Sequence, residues 1–529
     1  MSDSPHADRV TKPFYITTAI DYPNGAPHIG HAYEKVLADV IARYRRLRGD
    51  KVYFLTGVDQ HGQKMQQTAD AIGIPVAELA RRNTRMFLAL WEKLGITYDG
   101  WAETTSDLHV RCVQSILVDL HRKGGLYKKS SLLHYSVRQE QYLTDKDRSS
   151  DGAFGPEWGE VLELHEENWW FRLSEHAAWL RNAVSSGTFR IIPEFRRAEV
   201  LNAVNRAAGT DLCISRPKER LRWGIEIPFD PGFVTYVWFD ALINYISFAG
   251  YAREPGDNLP DFDLLWPADA HVIGKDILVP AHSIYWPCML HAIGVPDEKL
   301  PALLVHGWWN IKGEKMSKTL GNVVDPDQLA GRFGVDALRY YLVRDITTGK
   351  DSDFDAERLV NLYNTELAND LGNLLNRSLN MTRRFLGAEL PETQYDDPEN
   401  RALRESLAEA ASRYLAAMDG YDPAAALEAL RRHVVHCNGY VERRKPWELA
   451  RNEEARDPLA SVLRHLCESC AHLAVLFAPV LPDASAAMLA QLRAASLAPP
   501  TTDHLAWGLL PPGHKTGKPK PVFPRIELE

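Results

Sequence analysis

A paired-histidine turn near the N-terminus has the features of a phosphate-binding site. The turn is PHIGH (27–31), and it stands between a short apolar stretch and a periodic stretch typical of a helix. Backbone N–H groups and the positive end of a helix favour a phosphate at such a junction. His28 and His31 can both face that point, and Gly30 lets a nucleotide come close. A turn with a purely structural role is the alternative, because histidine is often a satisfied polar residue.

A second turn, KMSK (315–318), carries two ammonium groups between Gly313 and Gly321. The flanking glycines predict a mobile loop. Lys315 and Lys318 suit a reaction that develops charge on a polyphosphate leaving group, because lysine acts there as a point charge. A solvated Lys/Ser turn is the alternative for this stretch taken alone. We expect the turn to follow a buried strand of the same sheet that the first turn opens, which makes coincidence a poor explanation.

The elements that must position these turns follow an α/β pattern. FYITTAI (14–20) and KVYFLTGV (51–58) have the composition of buried strands, and residues 31–48 have helical periodicity that ends at Gly49. Strand, glycine-containing loop, helix, strand is the opening of a doubly wound parallel sheet. The strand pattern returns at 233–239, 268–274 and 301–309. Later periodicity predicts helices at 359–386, 399–419, 422–443, 445–452, 457–478 and 482–495.

Composition limits the class of protein. At roughly 150 residues per domain, 529 residues suffice for three or four domains. With 61 Lys and Arg against 70 Asp and Glu, a net charge of -9 argues against a protein that coats nucleic acid, but it allows a local basic face. The longest apolar run, 471–481, is shorter than the roughly 20 residues of a membrane span. Six cysteines and an N-terminus without a secretory apolar stretch predict a cytoplasmic protein.

The two turns together carry a family resemblance. HIGH followed by KMSK is the paired signature of class I aminoacyl-tRNA synthetases, and the sequence between them resembles the methionyl-tRNA synthetases. No GxxxxGK[S/T] or GxGxxG motif offers another phosphate site. The stretches that carry the resemblance, in family order along almost the whole chain, are TTAIDYPNGAPHIGHAYEKVLADVIARY (17–44), LTGVDQHGQK (55–64), YVWFDALINY (236–245), HVIGKDI (271–277), HSIYWP (282–287), HGWWNIKGEKMSKTLGN (306–322) and NGYVERRKPWELA (438–450).

The resemblance implies a methionine–tRNA ligase with a Rossmann-like parallel-sheet catalytic domain, split by an insertion and followed by an α-helical anticodon-binding bundle. Residues 126–228, rich in charge, Ser and Trp, fit the insertion. The domains expected are a catalytic domain (1–125 and 229–325), the connective insertion (126–228), a stem-contact and linker region (326–375), an anticodon-binding domain (376–510) and an extended tail (511–529).

The family's motifs assign site residues to matching positions here. Asp59, just after the second strand, is expected to hold the α-ammonium group of methionine. An aromatic and aliphatic pocket suits the thioether, since sulfur packs well on aromatic rings; an ordinary core strand and helix is the alternative for WFDALINY. The other methionine-binding residues implied are Ala19, Ile20, Tyr22, Trp238, Ala241, Tyr245, Ile277 and His282. Those implied for ATP are His28, Gly30, His31, Gly274, Asp276, Lys315 and Lys318, with His28, His31, Lys315 and Lys318 as the catalytic set.

Two departures from the family pattern concern the pocket and the metal. Five residues, ILVPA, separate Asp276 from His282, where the family commonly has four, and we expect Pro280 to absorb the difference as a kink or bulge. Many relatives bind zinc through cysteine pairs in the insertion. This chain has no cysteine between Cys112 and Cys213, so no thiolate site can form there and no zinc is expected. The lone CxxC at 467–470 is interpreted as buried helix thiols.

The expected partners are tRNA(Met), L-methionine and ATP with Mg²⁺, without a membrane or DNA. Asn376 and Trp447 match family positions that contact the anticodon, where an aromatic stacks on an unpaired base; a tryptophan capping a helix start is the alternative for Trp447. Asn380 stands where the family pattern predicts arginine. Either Arg377, Arg383 or Arg384 substitutes for that arginine, or the anticodon contact differs. Some relatives carry an added C-terminal RNA-binding and dimerising domain, which is missing after PVFPRIELE, so we expect a monomer.

Three other functions compete with this one. The nearest is a class I ligase for another apolar amino acid or cysteine, which ATP–pyrophosphate exchange across a panel of amino acids would identify. An inactive paralogue that only binds tRNA is disfavoured by the intact HIGH and KMSK turns. A small-molecule adenylyltransferase shares the HxGH turn but leaves the helical C-terminal third unexplained.

Overall fold

The computed structural model describes residues 12–138, 141–143, 147–149, 151–207, 209–315 and 324–527. These residues form two compact units. The first unit takes the chain up to Pro27, then Tyr53–Ala89 and Tyr98–His306; the second takes His28–Val52, Leu90–Thr97 and the chain from Gly307 onward.

The strands of the described residues are short, apart from one long pair in the first unit. In chain order they are β1 (Phe14–Thr18), β2 (Val52–Val58), β3 (Gly100–Glu103), β4 (Leu126–Ser136), β5 (Gln141–Leu143), β6 (Val161–Phe171), β7 (Ile191–Ile192), β8 (Leu212–Cys213), β9 (Ser215–Pro217), β10 (Phe233–Thr235), β11 (Ala270–Gly274), β12 (Leu303–His306), β13 (Trp309–Ile311), β14 (Glu314–Lys315), β15 (Ser352–Asp353), β16 (Glu389–Leu390) and β17 (His514–Lys515).

The α-helices are α1 (Ile29–Leu47), α2 (Gln63–Ile72), α3 (Val76–Lys93), α4 (Asp107–Arg122), α5 (Ala177–Ser186), α6 (Arg197–Ala207), α7 (Val237–Ala241), α8 (Asn244–Ser247), α9 (Phe262–Leu265), α10 (Trp286–Ile293), α11 (Pro326–Phe333), α12 (Val335–Arg344), α13 (Ala356–Leu362), α14 (Asn373–Leu386), α15 (Pro398–Asp419), α16 (Pro423–Arg444), α17 (Pro446–Leu449), α18 (Arg456–Phe477) and α19 (Pro482–Leu492). Two π-helical segments, Leu278–Tyr285 and Tyr363–Gly372, run into α10 and α14.

A six-stranded sheet organises the first unit, with the strand order β3-β2-β1-β11-β12-β7. The pairs β2/β3, β1/β11, β11/β12 and β12/β7 are parallel, and Ile16 of β1 lies opposite Ala270 of β11. The chain moves outward from β1 to β3 on one side and from β11 to β12 on the other. The sheet is therefore doubly wound, and its order reverses between β1 and β11.

Residues of the predicted insertion form an antiparallel sheet of order β5-β4-β6-β8. In it, β4 and β6 pair along their whole length, from Leu126 opposite Phe171 to Ser136 opposite Val161.

One predicted strand of the central sheet is wrong. Of residues 233–239, only β10 is a strand, it pairs antiparallel with β9 outside the six-stranded sheet, and α7 begins at Val237. A short aromatic and β-branched run suits a buried strand or a buried helix equally, so its periodicity could not decide.

The second unit is mainly helical. It contains α1, a three-stranded sheet of order β14-β13-β15, and the helices from α11 to α19. Lys315, the first residue of KMSK, is the last residue of β14 in this small sheet, so β13 and β14 come between β12 of the six-stranded sheet and the rest of KMSK in chain order. The predicted helices at 399–419, 422–443, 457–478 and 482–495 are confirmed as α15, α16, α18 and α19; that at 445–452 is shorter, as α17 ends at Leu449.

The last residues of the chain that the structure describes pair with earlier parts of the second unit. β17 pairs antiparallel with β16, so that Leu390 lies opposite His514. Further along, the Asn364 amide donates to the carbonyl of Ile526 (2.8 Å), and the Ile526 N–H donates back to Asn364 Oδ1 (3.0 Å). This last segment is anchored at both of these points.

One stretch of the described chain, Glu453–Phe477, is long and apolar enough to span a membrane by length and composition alone. Of its most apolar window, 94% is buried within the fold. A helix that is apolar all round and covered by protein is typical of a core helix. Cys467 and Cys470 lie buried in this helix, which confirms the interpretation of the CxxC as helix thiols.

Candidate active site

Most of the predicted methionine-binding residues follow the carboxyl ends of adjacent sheet strands. Asp59 comes directly after β2, Ala19 directly after β1, and Ile277 shortly after β11. These three strands are neighbours in the sheet, and β1 and β11 are the pair at which the strand order reverses. In open α/β sheets, ligands bind in the crevice outside the carboxyl ends of the strands at this reversal point. The topology of the first unit therefore supports a ligand site here.

The backbone around Asp59 is fixed by a ladder of hydrogen bonds that continues beyond the strands. The Asp21 N–H donates to the carbonyl of Gly57 (2.9 Å), and the Asp59 N–H donates to the carbonyl of Asp21 (2.8 Å). Thr104 Oγ1 lies 3.5 Å from Asp59 Oδ1. As a whole residue, Asp59 is 9% exposed. Asp59 is thus a largely buried anionic group on a rigid backbone, which suits the binding of an ammonium group.

Aromatic residues predicted for the side-chain pocket contact one another. Tyr245 Oη lies 2.8 Å from His282 Nε2, and His282 Nδ1 lies 2.9 Å from the carbonyl of Ile277. Because a carbonyl can only accept, Nδ1 carries the proton, and Nε2 of the neutral ring accepts from Tyr245. The Trp238 ring meets His282 edge-on at 6.3 Å between centroids, and Ala241 is buried. Trp238, Tyr245, Ile277 and His282 therefore form one connected group.

His271 packs against this group; it opens the quoted stretch HVIGKDI but was not among the predicted site residues. Its ring stands 4.2 Å from that of Tyr245, Thr17 Oγ1 lies 2.6 Å from Nδ1, and the Trp286 indole N–H donates to Nε2 at 3.3 Å. Burial, with the nearby His282, holds the pKa of His271 well below its usual value. A neutral imidazole with both nitrogens engaged therefore fixes the Tyr245 ring.

The extra residue before His282 falls in an irregular helical turn. The π-helical segment Leu278–Tyr285 contains one residue with extended backbone angles, Val279, directly before Pro280. The kink expected at Pro280 is present. Short π-helical turns accommodate an additional residue and are frequent at functional sites.

In the second unit, His28 and His31 form a reciprocal cap at the start of α1. His28 Nδ1 accepts from the Gly30 N–H (3.1 Å), and His31 Nδ1 accepts from the His28 N–H (3.0 Å). The two rings lie 3.8 Å apart. Because a backbone N–H can only donate, each Nδ1 is unprotonated, and in the neutral ring each Nε2 carries the hydrogen. The cap thus produces two Nε2–H donors.

Gly30 is required by the same geometry. A Cβ at this position would stand 2.9 Å from Cε1 of His28. The His28 ring can therefore cap the helix only because residue 30 has no side chain.

The HIGH turn is bonded to the residue that follows the KMSK loop. The Ile29 N–H donates to the carbonyl of Val324 at 3.1 Å. At the other end of that loop, Lys315 closes the β13–β14 hairpin opposite Asn310. Lys318 and the Lys315 side chain lie outside the described residues.

The two ATP-binding residues predicted on the sheet lie at the end of β11. Gly274 is the last residue of that strand, and a Cβ there would stand 2.6 Å from Asp276 Oδ1. The following residue, Lys275, donates its N–H to the carbonyl of His306 at the end of β12 (3.0 Å). Glycine at 274 therefore lets the Asp276 carboxylate fold back over the strand end.

The predicted anticodon-binding residues lie on α14 and α17 of the second unit. Asn380 donates its amide to Asn376 Oδ1 at 2.6 Å. One turn away, Arg377 pairs with Glu442 of α16 at 2.7 Å. Trp447, which follows Pro446 at the first turn of α17, is half-buried. The position expected to carry arginine thus holds an amide that orients the side chain of Asn376.

No cluster of three or more His, Cys, Asp or Glu able to hold a metal occurs in the part of the chain that the structure describes. The absence of zinc stays a prediction.

Comparison with known proteins decides the family. Residues 14–151 and 158–379 match the family model described as tRNA synthetases class I (M), and residues 390–529 match the anticodon binding domain of methionyl tRNA ligase. The chain belongs to the methionyl-tRNA synthetases. The resemblance drawn from HIGH, KMSK and the stretches between them is confirmed, as is the predicted fold class.

Curated relatives match along nearly the whole chain. The methionine–tRNA ligase of Listeria monocytogenes serotype 4b is 39% identical over 528 residues, which cover 98% of this chain and 78% of that protein. The methionine–tRNA ligase of Halalkalibacterium halodurans is 37% identical over 529 residues, covering 98% and 79%.

A solved structure agrees with the fold. Mycobacterium tuberculosis methionyl-tRNA synthetase in complex with methionyl-adenylate superposes with a TM-score of 0.89 at 36% identity, covering 97% of this chain and all of that one.

Four residues beside the predicted site residues, or in contact with such a neighbour, were not predicted. Three of them stand inside the quoted motifs. Gln60 and His61 follow Asp59 directly, and Asp240 stands between Trp238 and Ala241. Trp223, in the predicted insertion, donates its indole N–H to the carbonyl of Gln60. Proximity in sequence to a predicted site residue was the available signal for the first three. Trp223 had none.

Proposed function

We propose a role in the reaction for each predicted site residue of this methionyl-tRNA synthetase. The chain activates L-methionine with ATP to methionyl-adenylate and transfers methionine to the 3′ end of tRNA(Met). The observation that carries this function is the match of both family models, catalytic and anticodon-binding, along one chain.

In our proposal, Asp59 binds the α-ammonium group, and Ala19, Ile20 and Tyr22 line the same end of the amino acid. The thioether packs against Trp238 and Tyr245. The remaining side-chain contacts are those of Ala241, Ile277 and His282. The connected aromatic group and the buried position of Asp59 support this assignment.

The chemical step needs no covalent contribution from the protein. The methionine carboxylate attacks the α-phosphate of ATP in line, and pyrophosphate leaves. His28 and His31 donate from Nε2 to phosphate oxygens, Gly30 lets the nucleotide approach, and Gly274 and Asp276 bind near the ribose. Lys315 and Lys318 neutralise the departing pyrophosphate, so catalysis rests on positioning and charge stabilisation. Mg²⁺ accompanies ATP, as it does with most nucleotides.

The tRNA is read by the helical half of the chain. Trp447 stacks on an anticodon base, and Asn376, held by Asn380, donates to a base edge, since unpaired bases expose their edges and faces. We further propose a cytoplasmic monomer that binds no DNA, no membrane and no zinc. Light scattering that shows a stable dimer, or metal analysis that finds stoichiometric zinc, would contradict these two parts.

The test is ATP–pyrophosphate exchange across a panel of amino acids, together with tRNA charging, for the wild type and three variants. We expect methionine to be the preferred amino acid. Lys318→Ala and Asp59→Ala should abolish exchange, and Trp447→Ala should retain exchange but lose tRNA charging. Trp507→Ala, which removes another partly exposed tryptophan of the second unit, is the matched control. Preference for another amino acid would refute the function. Loss of exchange in Trp447→Ala would refute the assignment of Trp447 to tRNA binding.

A further inference from the structure

A buried polar pair links the loop that carries Asp59 to the helix that carries Trp238. His61 Nδ1 lies 3.1 Å from Asp240 Oδ2, with His61 6% exposed and Asp240 fully buried. Thr235 donates its hydroxyl to the same carboxylate oxygen at 3.3 Å. His61 is two residues from Asp59 and Asp240 is two residues from Trp238, so the pair joins the two binding elements directly.

On the loop side, the neighbouring residue is held from several directions. The Gln60 N–H donates to Thr104 Oγ1 (2.9 Å), its amide donates to Thr84 Oγ1 (3.0 Å), and its carbonyl accepts from the Trp223 indole at 2.5 Å. The Trp223 ring also meets the His61 ring edge-on at 5.5 Å. The loop cannot shift along the sheet without breaking these bonds, so His61 is a fixed donor.

On the helix side, α7 is short. It runs only from Val237 to Ala241, and Asp240 lies within it. The Leu242 N–H donates to the carbonyl of Trp238 at 3.3 Å. Because the helix is little more than one turn, fixing one of its side chains fixes the direction of the others. Asp240 therefore fixes the backbone position from which the Trp238 side chain extends.

We propose that His61 and Asp240 are positioning residues that fix the separation between Asp59 and Trp238, and through it the length of amino acid that the site accepts. This inference rests on the proposed function, in which Asp59 holds the α-ammonium group and Trp238 the thioether. A ligand that must reach both groups gains full affinity only at one length. A site whose ends are rigidly joined rejects a longer homologue, whereas a loosened site adapts to it.

The discriminating ligand pair is methionine and ethionine, its homologue with one more methylene on sulfur. A single methylene in an apolar pocket typically changes kcat/KM by about 10–200-fold. Loss of the His61–Asp240 link should lower the ratio of kcat/KM for methionine to kcat/KM for ethionine. A merely structural role would lower the activity with both amino acids equally and leave the ratio unchanged.

The experiment measures exchange kinetics of His61→Leu and His61→Asn beside the wild type. His61→Leu removes the donor, while His61→Asn places an amide donor where Nδ1 stood. For His61→Leu we expect KM for methionine to rise by about tenfold and KM for ATP to stay within about twofold. The ratio of kcat/KM for methionine to kcat/KM for ethionine should fall at least about threefold. His61→Asn should restore the wild-type ratio. His176→Leu is the control, since His176 is a paired histidine of the same unit (2.8 Å to His291) remote from this link in sequence.

Two outcomes are distinguishable. A wild type that does not activate methionine overturns the proposed function and this inference together. A wild type that does so, with an unchanged ratio in His61→Leu, overturns the inference alone. Should His61→Leu not fold, the double variant His61→Leu/Asp240→Leu removes the link without leaving a buried unpaired carboxylate, and an unchanged ratio in it overturns the inference equally.

Discussion

The Ile29 N–H donates a 3.1 Å hydrogen bond to the carbonyl of Val324. Ile29 is the second residue of HIGH, and Val324 is the first described residue after the KMSK loop. With Lys315 held in the β13–β14 hairpin, both ends of that loop are tied within the second unit. HIGH is therefore bonded at the backbone to the first described residue that follows KMSK, although the two are distant in sequence.

The first prediction separates the capping role of the HIGH histidines from their chemical role. In His28→Asn and His31→Asn, asparagine keeps an acceptor for the backbone N–H but loses the Nε2–H donor. Since asparagine is a good N-cap residue, the free energy of unfolding of His28→Asn should stay within about 0.5 kcal/mol of wild type. Exchange should fall about 10²–10³-fold in both variants, the usual loss when one transition-state donor is removed.

The matched control is His504→Asn. His504 Nδ1 accepts from the Thr501 N–H at 3.2 Å in the same capping geometry as His31. This variant should retain wild-type exchange. If His31→Asn also retained it, HIGH would be a structural cap only.

The second prediction concerns Gly30. A methyl group at this position would stand 2.9 Å from the His28 ring and displace it. Gly30→Ala should therefore lower the exchange rate and raise KM for ATP, while KM for methionine changes little. Gly331→Ala, at an exposed position within helix α11 of the same unit, shows whether simple addition of a methyl group matters. A Gly30→Ala enzyme with unaltered KM for ATP would contradict the close approach of nucleotide at this turn.

The third prediction concerns a buried ion pair that ties α1 to the helices of the second unit. Arg339 Nη2 lies 2.7 Å from Asp39 Oδ2, both side chains are fully buried, and Arg339 also donates to the carbonyls of Pro479 and Val480. Arg339→Met leaves a buried carboxylate without this partner, which typically costs about 3–5 kcal/mol. Arg43, at 2.7 Å from the same carboxylate, should keep the loss near the lower end.

Chemical denaturation measures this loss. Arg401→Met, which breaks an exposed ion pair with Asp396, is the comparison and should cost less than about 1 kcal/mol. Equal losses in the two variants would contradict a larger contribution of the buried pair.

The fourth prediction is a pH dependence of stability. Burial, together with Asp483, raises the pKa of Asp336 to about 6, although the Ala484 N–H and Arg339 act in the opposite direction. A carboxyl with a raised pKa in the folded state contributes stability that is present below about pH 4 and lost as the pH rises through 6. Asp336→Asn should therefore be more stable than wild type at pH 8 by roughly 1–3 kcal/mol, since one pKa unit corresponds to about 1.4 kcal/mol.

Thermal unfolding between pH 4 and pH 8 tests this sign. The difference between Asp336→Asn and wild type should shrink as the pH falls, because the wild-type carboxyl is then protonated in both states. Asp457→Asn, at an exposed position, is the control. A constant difference over this range would contradict the raised pKa.

The sequence was informative where local chemistry and element boundaries coincide. Gly49 follows the end of α1, and Asp59 stands directly after β2, because glycine favours helix ends and apolar strands end at polar residues. The helices of the second unit were predictable from their long periodic stretches.

The sequence did not predict the features that depend on tertiary packing. Residues 233–239 form a strand and a short helix, because an aromatic run satisfies either element when it is buried. The pairing of His61 with Asp240 joins positions 179 residues apart, and no local pattern signals such a contact. The support of Tyr245 by His271 is likewise a product of the fold.

The pairing of β17 with β16, and of Ile526 with Asn364, has a consequence for how the second unit comes apart. Unfolding of the second unit cannot simply proceed inward from the C-terminal end, since the final described segment is bonded to residues far earlier in the chain. Release of the segment and exposure of the helices it covers should coincide, so amide hydrogens of Ile526 and of the residues around Asn364 should exchange as one cooperative block.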